Sequence, residues 1–82
     1  MNEVLEIAQA YLDLRGETCP FTFVRTKLRL EELGGGEVLE LILDDGEPIR
    51  SVPRSVKAEG HQIFRVEDLP EDGAYRLLIR KG

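Results

Sequence analysis

Cys19 is the residue best equipped for covalent chemistry in this chain, and its neighbours give it a setting. Pro20 follows it, and the run Asp13-Leu14-Arg15-Gly16-Glu17-Thr18 precedes it. Proline suits the first position of a helix, where its missing N–H needs no partner. Cys19 is therefore read as standing at a helix start, after a turn made by Gly16. The first turn of a helix presents unpaired N–H groups and the positive end of the helix dipole. Both stabilise a thiolate, and such sites lower a cysteine pKa from about 8.5 into roughly the 3.5–7.5 range. A persulfide anion would be held by the same field. Arg15 supports that anion and Glu17 opposes it. The spacing alone leaves two readings open: an inert buried thiol and an activated nucleophile at a strand-to-helix junction.

Other chemistries lack raw material. The 82 residues hold one Cys and one His. A single Cys excludes an internal disulfide framework, and with one His it excludes a Cys-rich zinc site. Ser-His-Asp and His-rich metal arrangements are equally short of residues, so no metal and no cofactor is expected. His61 follows Gly60 at a strand start and is read as structural.

The elements that must position Cys19 follow from periodicity. Residues 10–15 alternate as a strand, with Leu12 and Leu14 on one face and Asp13 on the other. Residues 19–33 read as a helix ended by Gly34-Gly35-Gly36. Residues 37–44 form a second strand, with Leu39, Leu41 and Leu43 on one face, and Asp44-Asp45-Gly46 is a turn. Residues 48–59 are weakly helical. Pro53 predicts two short pieces there, the second capped by Ser51. Strands at 61–68 and 74–81 are joined by a hairpin loop at Pro70-Glu71-Asp72-Gly73. Their apolar faces are Phe64 and Val66, then Tyr75, Leu77 and Ile79.

The order β-α-β-α-β-β predicts an α+β fold. It is a two-layer sandwich with both helices on one face of a mixed four-stranded sheet. Alternation puts Asp13, Glu40, Ile42, Ile63, Arg65, Arg76, Leu78 and Arg80 on the open face. That face is read as solvated, or as a docking or RNA-contacting surface. The first helix carries two apolar stripes. Phe23, Thr26, Leu30 and Leu33 are assigned to the sheet. Phe21, Val24 and Leu28 lie opposite and either meet the second helix, the commoner arrangement, or form a docking patch beside Cys19. Exposure above about a third for Phe21 and Val24 would favour the patch.

The formal net charge of -5 argues against general nucleic-acid binding. No stretch approaches the ~20 apolar residues of a membrane span, and the N-terminus does not read as a secretory signal. One unpaired thiol fits a reducing cytoplasm. Residues 1–9 are expected to be an extension and 10–82 a single domain.

The segment DLRGETCPFTFVRTKLRLEEL resembles the signature of the TusA/SirA-like sulfur carriers: Asp-Leu-Arg-Gly, then Cys-Pro-x-Pro opening the first helix. GEVLEL, DDGEPIRSVPRSVKAEGH and YRLLIRK also follow that family's layout, so the resemblance covers residues 12–81. It implies the β-α-β-α-β-β two-layer fold. It also implies a carrier rather than a turnover enzyme. Cys19 would accept sulfane sulfur as a persulfide from a cysteine desulfurase or rhodanese-like donor protein and relay it to an acceptor protein. Pro20 is the matched neighbour, and Asp13, Arg15 and Gly16 are the matched lead-in. Arg15, Phe21, Val24 and Leu28 would form the partner surface. Thr22 stands where the family has its second proline. If Cys19 is the helix cap, residue 22 is the third helical position, whose N–H points back at the cap side chain. Proline has no N–H to offer there, and Thr22 does. With Thr18 as cap the argument weakens. The competing readings are an RNA- or protein-binding module using the open sheet face, and a thiol redox regulator acting through Cys19.

Overall fold

The computed structural model describes residues 8–17 and 21–82. Its elements run β1 (Ala8–Asp13), α1 (Phe21–Glu31), β2 (Val38–Asp44), α2 (Glu47–Ala58), β3 (Gln62–Leu69), a short 3-10 turn (Pro70–Asp72) and β4 (Ala74–Arg80). The sheet order is β1-β2-β4-β3. β1 pairs parallel with β2, and β4 pairs antiparallel with both β2 and β3. This is the expected mixed sheet.

The alternation of β2 builds the core. Leu39, Leu41 and Leu43 are fully buried on the helix side, against Leu77 and Ile79 of β4. Ala10, Leu14, Leu30, Val52 and Val56 complete that cluster. Fully burying such side chains stabilises by about 1.5–3 kcal/mol each. β1 is the edge strand that pairs with β2. Its Gln9 side chain accepts the Val38 N–H at 2.8 Å.

Two expectations are corrected. The segment around Pro53 is one helix, not two pieces. Ser51 does not cap a second piece; its hydroxyl donates to the Glu47 carbonyl at 3.1 Å. An interior proline costs about 3 kcal/mol. Ile49, Val52 and Val56 form one stripe on the core, with Val52 and Val56 fully buried, and that burial offsets the loss. The face assignment of β3 also changes. Ile63 pairs with Ile79 and packs on the core rather than on the open face. A bulge between Ile63 and Arg65 inserts one residue and resets the alternation. The Phe64 ring accordingly lies under the Arg80 guanidinium, 4.7 Å from its centroid. Val66 returns to the helix side opposite Leu77, yet sits at the sheet edge and is exposed.

The open face is not bare. Val38, Ile42 and Leu78 are buried on it. Charged side chains lie across them: Arg76 donates to Glu67 and to Glu40, and Arg65 donates to Glu67 at 2.9 Å. The His61 Nδ1 accepts the Gly82 N–H at 3.1 Å.

Candidate functional site

The site is the junction between β1 and α1. Leu14 continues the parallel ladder, its N–H donating to the Ile42 carbonyl at 2.9 Å, and its side chain is fully buried. The chain then turns over residues 14–17, closed by the Glu17 N–H to the Leu14 carbonyl at 3.1 Å. Gly16 has φ 87°, a left-handed conformation that the third position of such a turn requires and that a side chain would oppose.

Charges at the turn are matched in pairs. Asp13 accepts the Arg15 backbone N–H at 3.1 Å and its guanidinium at 2.6–3.2 Å. The Arg15 side-chain hydrogen bonds hold the Asp13 carboxyl below its ordinary range. Arg15 also reaches Asp72, 3.8 Å away. Glu17 accepts Arg25 of α1 at 2.9 Å. The two residues expected to act oppositely on the thiol, Arg15 and Glu17, are thus each engaged with a partner of opposite charge.

Cys19, Pro20 and Thr18 lie outside the described residues, so the cap at Cys19 does too. Helix α1 is described from Phe21 onward. Thr22, Thr26 and Leu30 are buried against the sheet, and Phe23 and Leu33 pack beside them. The Thr26 hydroxyl donates to the Thr22 carbonyl at 2.8 Å. The Thr22 hydroxyl, equally buried, has no hydrogen-bond partner among the described residues. Periodicity did not place the Thr22 side chain in the core.

The second apolar stripe is left largely in water. Phe21 is 59% exposed, Leu28 55% and Val24 43%, all above the threshold that favours a patch. Lys27 of α1 donates to Glu59, the residue just past the end of α2, at 3.3 Å. The three apolar side chains form a strip along the outer side of α1, beginning two residues after Cys19. Among the described residues no His, Cys, Asp and Glu side chains group to hold a metal ion. No helix among them is long and apolar enough to cross a membrane.

One contact was missed by sequence reasoning. Asp44, at the end of β2, accepts the Gly16 N–H at 2.7 Å. Asp44-Asp45-Gly46 carries an ordinary turn signal, which gave no hint that one of its carboxylates serves a distant loop.

Known proteins place this architecture. A SirA-like protein from Desulfitobacterium hafniense superposes with a TM-score of 0.77 at 24% identity, over 90% of this chain and 99% of that one, and so shares the fold. A candidate sulfur carrier protein of Archaeoglobus fulgidus is 50% identical over 74 residues, 90% of this chain and 83% of its own. Another from Methanocaldococcus jannaschii is 32% identical over 75 residues, 92% of this chain and 97% of its own. The family described as Sulfurtransferase TusA matches residues 10–81. The turn built by Asp13 to Gly16 and the helix that follows it lie inside that match, and the chain belongs to the TusA sulfurtransferase family.

Proposed function

We propose that this protein is a sulfur carrier with Cys19 as its acceptor, a relay rather than a turnover enzyme. The Cys19 thiolate attacks the terminal sulfur of a donor persulfide. The donor's S–S bond breaks, the donor leaves as a thiolate, and a persulfide forms on Cys19. A nucleophile on the acceptor protein then attacks the terminal sulfur, and Cys19 leaves as a thiolate. The two exchanges balance without an added oxidant or reductant. A cysteine desulfurase or a rhodanese-like protein fits the donor's role.

The observation that carries this reading is the exposed strip of Phe21, Val24 and Leu28 on the helix that follows Cys19-Pro20, in a chain of this family. A carrier must be read by two successive proteins, and an apolar strip beside the thiol offers both the same handle. Arg15 borders the same junction. The unpaired thiol fits a reducing, cytoplasmic compartment. The open sheet face favours RNA less, because Arg65 and Arg76 are already bonded to carboxylates.

Incubation with a cysteine desulfurase and cysteine should add about 32 Da at Cys19, the mass of one persulfide sulfur, and Cys19→Ala should abolish the adduct. No adduct from several donors, on a thiol that alkylates freely, would overturn the reading. We further propose that the Thr22 N–H donates to the Cys19 sulfur and favours its thiolate. Alkylation rate against pH should then show a higher midpoint in Thr22→Pro; an unchanged or lower midpoint would refute this.

A further inference from the structure

Four consecutive backbone N–H groups lead into the thiol, and each has a partner. Leu14 donates to the Ile42 carbonyl, Arg15 to the Asp13 carboxylate, Gly16 to the Asp44 carboxylate and Glu17 to the Leu14 carbonyl. Two of these are local to the turn, and one extends the sheet ladder. The Gly16 bond alone is made by a side chain from another element, 28 residues away in sequence.

We infer that Asp44 is a positioning residue for the thiol-bearing loop, acting through the Gly16 N–H. Gly16 is three residues before Cys19, and a chain reaches at most about 3.6 Å per residue. The Cα atoms of Gly16 and Cys19 are therefore at most about 11 Å apart. The loop is tied at two points: Asp44 holds it to the end of the sheet, and the Glu17–Arg25 pair ties it to α1. Asp13 and Glu17 have cationic partners, whereas Asp44 bonds no cation among the described residues. Its role here is as an acceptor, and an amide oxygen can fill that role from the same position.

The inference rests on the carrier reading for its functional meaning, so its test includes a readout that needs no sulfur donor. Asp44→Ala, Asp44→Asn and the wild-type chain are compared by exchange of the Gly16 amide, by Cys19 alkylation across pH, and by persulfide loading from a desulfurase. In Asp44→Ala the Gly16 amide should exchange faster. Alkylation and loading should both slow by at least about five-fold, as misplaced reacting groups do. Asp44→Asn should restore all three. A purely electrostatic role predicts the opposite, since removing the negative charge at residue 44 would speed alkylation at neutral pH in both variants. Asp44→Glu keeps the charge, opens no cavity and displaces the acceptor by one methylene. It should change in the same direction as Asp44→Ala but less, and it decides the matter if Asp44→Ala does not fold. Wild-type rates in Asp44→Ala, or Asp44→Asn as impaired as Asp44→Ala, would overturn the inference. Failure of the wild-type chain to load sulfur would overturn the carrier reading alone, while alkylation would still judge Asp44.

Discussion

Two surfaces of this domain carry large apolar residues and treat them oppositely. On the open sheet face, Leu78 is 1% exposed and Ile42 6%, beneath the side chains of Arg76, Glu40, Glu67 and Arg65. On the outer side of α1, Phe21, Val24 and Leu28 stand more than two-fifths in water. Charged residues flank both. The difference is what the charged groups bridge. On the sheet, Arg76 of β4 pairs with Glu40 of β2 and Glu67 of β3, so the ion pairs span three strands across the face, and Arg80 lies over the Phe64 ring. On α1, Arg25, Lys27 and Arg29 bond Glu17, Glu31 and Glu59, and Glu32, and the apolar strip stays exposed. One surface is covered within the domain, and the other stays exposed.

The comparison is tested most severely at Leu78. If the sheet face is a true second core, Leu78→Ala should cost about 2–5 kcal/mol, like any deep truncation, as read by urea unfolding. A loss below about 0.5 kcal/mol, typical of surface sites, would mean that the face is solvent-like. Pro53→Ala restores an N–H to the middle of α2 and should raise stability by about 1 kcal/mol, the ladder bond gained being partly offset by a freer unfolded chain. Glu67→Gln weakens the cover without touching the apolar layer and should cost about 1 kcal/mol at neutral pH.

The same carboxylate gives the pH dependence. Glu67 is held below its ordinary range by hydrogen bonds from Arg76 first and then Arg65, as Asp13 is by Arg15. A lowered folded pKa contributes stability that is complete above the ordinary carboxylate range and disappears as pH falls through the folded value. Acid unfolding should therefore set in below about pH 4.5, and Glu67→Gln should flatten that slope in a melting series across pH. The smallest stability effect belongs to the α1 strip. Phe21→Ser, Val24→Ser and Leu28→Ser should each shift stability by no more than about 0.5 kcal/mol, yet slow sulfur loading from a donor protein. A large stability loss with normal loading would make the strip structural.

Much of this was legible along the chain. The β-α-β-α-β-β order, the Leu39-Leu41-Leu43 face and the turn at Gly16 follow from period and from backbone preference. The two stripes of α1 were also legible, because helical geometry alone sets them opposite each other. Their fates were not, because exposure depends on where α2 lies, and the Lys27–Glu59 contact defines that seam. The bulge after Ile63 escaped a strict period of two, and the continuous α2 escaped a local rule about proline that tertiary burial overrode.

For the site, the sequence by itself determined that one thiol, placed after a glycine turn and ahead of a helix, was the residue to explain. Residue type and local backbone preference suffice for that. Only the tertiary structure decided that the apolar strip of the following helix stays in water and that Asp44 reaches back to Gly16. Both are contacts, made or refused, between elements distant in the chain, and short-range periodicity carries no information about such distances.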